Sequence, residues 1–188
     1  MKYIKYIKNG IMVGVFLLPV VANAQTPQPD SIDVGVKVVV EGVFDISLIE
    51  VFDYDPDNPG NVTPSADDTV DYFNRTPGTY TVGSTEGTYA INIQVSNNAA
   101  PTYQLEIRGT GDFSGPGGSF SLSNLEWAFD GDPGAQTWTP FTTTYITIAT
   151  GGREQTNYYL DYRLTIPWDV PGESDYRTVT RFLLISNP

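Results

Sequence analysis

The sequence predicts an all-β chain folded as a single antiparallel, Greek-key β-sandwich of roughly nine strands. Three observations lead there. Thr, Val, Ile, Tyr and Phe dominate residues 25–188, and no stretch spaces its apolar residues at helical intervals. Several segments alternate apolar and polar residues with a period of two. Clusters of Gly, Pro, Asn and Asp interrupt these segments at short intervals, as turns between strands do.

The elements follow in order. Ile32, Val34, Val36, Val38 and Val40 alternate with Asp33, Gly35, Lys37 and Val39, and Gly42 interrupts the run. Phe44, Ile46 and Leu48 continue on one face. Val70–Phe73 and Thr79–Val82 are short strand candidates around Thr76-Pro77-Gly78. Tyr89, Ile91, Ile93 and Val95 alternate, Asn97–Pro101 turns the chain, and Tyr103, Leu105 and Ile107 return, which predicts a hairpin. Gly109–Gly118 reads as a glycine-rich loop without the helix that a phosphate-binding loop requires. Leu125, Trp127 and Phe129 have strand spacing, and Tyr145–Ala149 forms another strand. Leu160, Tyr162, Leu164 and Ile166 should face the core, with Tyr159, Asp161, Arg163 and Thr165 on the opposite face. Pro167–Ser174 turns, and Tyr176–Ile185 closes the chain. Phe182–Ile185 is apolar on both faces, which predicts a central or covered strand.

The first residues point to export. Lys2, Lys5 and Lys8 precede the apolar stretch Ile11–Val21, which is too short to span a bilayer, and Ala22-Asn23-Ala24 supplies a small-residue cleavage site. Residues 1–24 therefore read as a cleaved secretory signal, 25–31 as a flexible tail, and 32–188 as the sandwich domain, with no membrane span after cleavage. The expected location is extracellular, at the cell surface.

Of the 188 residues none is His or Cys. That excludes histidine-based triads, imidazole metal ligands, thiol nucleophiles, disulfides, zinc knuckles and iron–sulfur sites. Beyond residue 24, seven basic residues stand against 22 acids, a net charge of −15. So acidic a chain repels nucleic acid and anionic membrane surfaces, and favours divalent cations.

Tyr159-Leu160-Asp161-Tyr162-Arg163-Leu164-Thr165-Ile166-Pro167-Trp168, followed by Val170-Pro171-Gly172 and Tyr176-Arg177-Thr178-Val179-Thr180, resembles the closing hairpin of exported bacterial cell-surface β-sandwiches, including WxL-type cell-wall domains. Ser119–Phe129 is similar to the same group, although the paired Trp-x-Leu motifs are missing. The resemblance implies an Ig-like fold and a non-catalytic surface role, and brings no site residues with it.

Three constellations could carry chemistry. Asp53, Asp55 and Asp57, with Asn58, offer alternating hard oxygen ligands that suit calcium, and Asp67, Asp68 and Asp71 could complete the set. The same residues also suit a solvated turn. No cofactor is otherwise required. Trp138 and Trp168, at loop edges, could stack on a glycan, whereas Trp127 has core spacing. Glu126 beside Trp127 is the most enzyme-like carboxylate, but two acids at a set separation are needed for glycoside hydrolysis and no partner is singled out. The strand Ile32, Val34, Val36, Val38 and Val40 follows a free tail and can pair in its own sheet or in a neighbour's. The sequence thus predicts an exported, non-enzymatic structural protein of the cell surface that self-associates through this strand; the alternative is a module binding extracellular glycan.

Overall fold

Alternating β-branched and aromatic residues build twelve strands in the computed structural model, which describes residues 41–188 apart from 59, 60, 74, 84, 132–134, 173, 174 and 188. They are β1 (Phe44–Tyr54), β2 (Val62–Pro64), β3 (Gly78–Val82), β4 (Ile91–Asn97), β5 (Thr102–Gly109), β6 (Phe113–Gly115), β7 (Gly118–Phe120), β8 (Leu125–Phe129), β9 (Thr139–Pro140), β10 (Ile146–Gly151), β11 (Glu154–Ile166) and β12 (Thr180–Asn187). Among the described residues one 3₁₀ turn, Leu122–Asn124, begins at Ser121, whose hydroxyl accepts the Ser123 amide. The signal segment, the tail and Ile32–Val40 lie outside the described residues. Among the described residues no helix is long and apolar enough to cross a membrane.

The strands form a β-sandwich. The larger sheet has the order β2-β1-β4-β11-β8-β9, with β3 also pairing β11; the smaller has the order β10-β5-β12; β6 and β7 make a separate hairpin. All named strand pairings are antiparallel. Strand β11 is the axis of the larger sheet. Its first half pairs with β4 and its second half with β3 on the same side, while β8 lies on the other.

The core lies between the sheets. From the larger sheet it takes Ile91, Ile93, Val95, Leu125, Trp127, Leu160, Tyr162 and Leu164; from the smaller, Tyr103, Leu105 and Ile107. Leu160, Tyr162 and Leu164 point inward as their alternation requires, and Ile166 is half-buried. The Tyr103 hydroxyl, buried among these side chains, bonds Tyr158 Oη at 2.6 Å and donates to Glu154 at 3.2 Å, so the network of polar atoms ends where the core meets solvent.

Several expectations are corrected. Strands β4 and β5 do not form a hairpin: they sit in different sheets, joined by an arch over Asn98–Pro101. Asn97 holds this arch by accepting the Ala100 amide and donating to the Ala100 and Gly152 carbonyls, which ties it to the turn before β11. Strands β11 and β12, the proposed closing hairpin, likewise lie in different sheets. Val70–Phe73 is not a strand, because Asp71 and Phe73 break the alternation; Asp71 accepts the Phe73 amide and Phe73 has φ +55°. The glycine-rich loop contains the hairpin β6–β7, with Phe113 stacked on Phe120 at 4.5 Å. Among the described residues strand β12 pairs with β5 alone.

Candidate functional site

The acidic segment begins inside β1, which runs on to Tyr54 because Phe52, Asp53 and Tyr54 pair with β2. Asp53 is thereby buried at 7 % exposure, and its carboxylate accepts the Asp71 amide at 2.8 Å. Burial raises its pKa against the lowering effect of the Asp71 amide and the Ser65 hydroxyl, with the Asp71 and Asp67 charges adding to the rise. Asp55 accepts the amides of Asp57 and Asn58 at 3.0 and 3.1 Å, an Asx turn that reverses the chain. Asp57 and Asn58 are exposed. The alternation therefore divides between a buried acceptor, a turn and solvent. Among the described residues no three acidic side chains are grouped to hold a metal ion.

The two loop-edge tryptophans have different surroundings. Trp138 is half-buried, with the Arg163 guanidinium 4.5 Å from its ring centre. Arg163 also donates through Nε to Glu126 at 2.7 Å, its cross-strand partner on β8. Glu126, Arg163 and Trp138 thus form one network on the outer side of the larger sheet, which engages the carboxylate singled out for glycoside chemistry in an ion pair. Trp168, two residues beyond β11, is 87 % exposed. Neither lines the open depression of about 470 Å³ beside Trp127, Phe129, Gln136, Thr137 and Thr139.

The sequence missed Asp161. It lies on the expected face of β11, opposite Leu160 and Tyr162, yet it has no exposure at all. The reason is the handover between β3 and β4: the chain leaves β11 at Gly83, returns at Ala90, whose amide bonds the Leu160 carbonyl, and covers the carboxyl on the way. Gly83 has φ +82°, and a Cβ there would stand 2.1 Å from Asp161 Oδ1, so glycine is required on both counts. Gln136 donates to Oδ2, and Oδ1 has no partner. Burial pushes the Asp161 pKa up to about 8, Gln136 opposing and the Asp130 charge adding to the rise. Only the adjacent Gly83 and Asp161 in space, not in sequence, carry this signal.

The remaining feature is the flank of the sandwich where β1 and β12 approach one another. Phe44, Ile46 and Leu48 pair with Asn97, Val95 and Ile93, so their side chains share the core-facing side of the sheet. Phe44 and Leu48 are nevertheless 36 % and 44 % exposed. Opposite them, Phe182 and Leu184 pair with Ile107 and Leu105 and face the same core. On the outer side of β12, Leu183 is 37 % exposed. Apolar side chains from both sheets thus border an edge where, among the described residues, β12 has no second neighbour. The assembly residues Ile32, Val34, Val36, Val38 and Val40 lie outside the described residues, but the chain reaches β1 at a defined place. The Val43 carbonyl accepts the Asn98 and Ala99 amides at 2.9 and 3.3 Å, and the Val43 amide donates to the Asn98 side chain. No protein-family model matches the chain, and no curated protein matches its sequence.

Proposed function

We propose that the chain is an exported, non-enzymatic structural protein of the cell surface that assembles with copies of itself by donating the strand Ile32–Val40. One observation carries the reading. Among the described residues strand β12 pairs on one side only, it is apolar on both faces, and the core-facing Phe44 and Leu48 of the neighbouring β1 are exposed. An edge of this kind offers both unpaired amides and apolar area to an incoming strand. The alternating apolar run at 32–40 has the matching period, and the secretory character of residues 1–24 and the acidic composition suit an extracellular setting. Electron microscopy of the protein beginning at Gln25 tests the reading. Filaments are expected, and deletion of residues 25–41 leaves a soluble, folded domain that no longer polymerises. Filaments from the truncated chain, or a full chain that stays monomeric, overturn it.

The 87 % exposure of Trp168 favours a second reading, a module binding extracellular glycan. Glycan-array binding lost in Trp168→Ala, in protein that stays monomeric, would support that reading over the first.

A further inference from the structure

Strand β4 lies between β1 and β11, and its pairing sets two polar rows across the outer side of the larger sheet: Asp45, Ser96 and Gln155, then Ser47, Gln94 and Asn157. Neighbours in a row stand about 4.8 Å apart and the rows about 6.8 Å apart, the spacings of adjacent strands and of alternate residues. Asp45, Gln155 and Asn157 are exposed, and Ser47, Gln94 and Ser96 are half-buried. Beyond the second row Tyr159 stands against Tyr89, 4.7 Å between ring centres, and both rings are half-buried.

The side chains of these rows are locked to one another. Gln155 donates from Nε2 to Gln94 Oε1 at 2.9 Å and to Ser96 Oγ at 3.3 Å. Gln94 donates in turn to Asn157 Oδ1 at 3.0 Å, and Asn157 to Tyr159 Oη at 3.3 Å. This run of bonds fixes the orientation of each amide. An amide has two N–H donors and an oxygen with two lone pairs. Among the described residues one N–H of Gln94, one of Asn157 and the hydroxyl hydrogen of Ser96 are left without an acceptor, and Gln155 Oε1 without a donor.

We infer that this face binds an uncharged polysaccharide, whose hydroxyls meet the free groups of Gln94, Ser96, Gln155 and Asn157. A hydroxyl both donates and accepts, so it pairs with free N–H groups and free oxygens side by side. Side chains already held by one another lose little rotamer freedom on binding, which lowers the cost of polar recognition. At the Tyr159 end a sugar ring finds an aromatic body with a polar tip. Charge selects the occupant. The chain has 22 acids against 10 basic residues, yet the outward positions Asn92, Gln94, Ser96, Gln155, Asn157 and Tyr159 carry no charge. A face that only held water would carry charges in so acidic a chain. Asp45 in the first row and Glu50 beyond the second repel an anionic polymer. A second copy of the chain would set the same carboxylates against one another, with little apolar area to bury. The site shares its ligand class with the second reading above, lies on β4 and β11 rather than at Trp168, and needs no polymerisation.

The protein beginning at Gln25 is immobilised on a biosensor, so that its assembly state does not enter, and exposed to hydroxyethylcellulose, glucomannan, dextran and polygalacturonate. Binding of at least one of the neutral polymers is expected, and none of the anionic polygalacturonate. Gln94→Ala and Asn157→Ala should each weaken binding about tenfold, the effect of about one net hydrogen bond. Asn157→Asp keeps the size of the side chain and the acceptor for Gln94 but loses the free N–H, and should weaken binding as much as Asn157→Ala. Trp168→Ala should bind like the parent protein. Circular dichroism shows that each variant keeps its fold. No binding of any neutral polymer overturns the inference, and so does binding of polygalacturonate as strong as theirs. Binding unchanged in the Gln94 and Asn157 variants overturns the site, and its loss in Trp168→Ala then upholds the glycan reading at Trp168.

Discussion

Replacing Asp161 by Asn should stabilise the protein, and by an amount that grows with pH. The carboxyl has no exposure and one partner, Gln136, with Oδ1 unpartnered. Its pKa rises from 3.8 in the unfolded chain to about 8 in the folded one. Between these values the folded protein keeps a proton that the unfolded chain has released, so stability falls as pH rises across that window. Below about pH 4 the side chain is neutral in both states and costs nothing extra; above about pH 8 the whole penalty is present. At about 1.4 kcal/mol per pH unit over some four units the ceiling is roughly 6 kcal/mol, and water entry and local relaxation reduce it to about 2–4 kcal/mol. Asparagine keeps the oxygen that accepts from Gln136 and cannot ionise. Urea unfolding of both proteins, followed by tryptophan fluorescence at pH 4, 6 and 8, isolates the effect because all other carboxylates are shared. The stability difference should be near zero at pH 4 and reach about 2–4 kcal/mol in favour of the variant at pH 8. A difference that does not change with pH would refute the reasoning, since Asp161 would then titrate alike in the folded and unfolded chains.

Two further substitutions probe the packing. Leu164→Ala, at a position 5 % exposed between β3 and β8, should cost about 2–5 kcal/mol in the same urea titration. A loss under about half a kcal/mol would mean that the register of β11 is wrong. Gly83→Ala combines a φ of +82° with a Cβ 2.1 Å from Asp161 Oδ1 and 2.7 Å from the Tyr89 backbone, so it should cost more than about 2 kcal/mol. Melting within a degree of the parent protein would show that the backbone there adjusts freely.

Strand identity was legible wherever a period of two ran long enough, as in β5, β8 and the second half of β11. The sheet to which each strand belongs was not. Asn97–Pro101 has the composition of any tight turn, and what makes it an arch is the bond from Asn97 to Gly152, a residue 55 positions away. The same limit applies to Asp161: alternation assigns it correctly to the face opposite Leu160, but a face says nothing of a loop that later covers it. At Asp53, Asp55 and Asp57 the residue types suit cation ligands and turns alike, and the structure engages the first two with backbone amides. The apolar run Phe182–Ile185 announced an unusual strand. Its pairing with β5 is a long-range one that no local pattern encodes.

The anchoring of Val43 at the arch has a mechanical consequence. Tension applied at Val43 along the axis of β1 acts on a strand paired antiparallel with β4 from Phe44–Asn97 to Val51–Ile91. The inter-strand hydrogen bonds lie across the strands. Tension in that direction therefore loads them together in shear, so that many must fail at once. Peeling from the opposite end would break them one after another. Strand β4 passes the load to β11 through the pairs Asn97–Glu154 to Ile91–Leu160. The larger sheet thus forms a continuous tensile path from Val43 through β1 and β4 to β11, without any covalent cross-link.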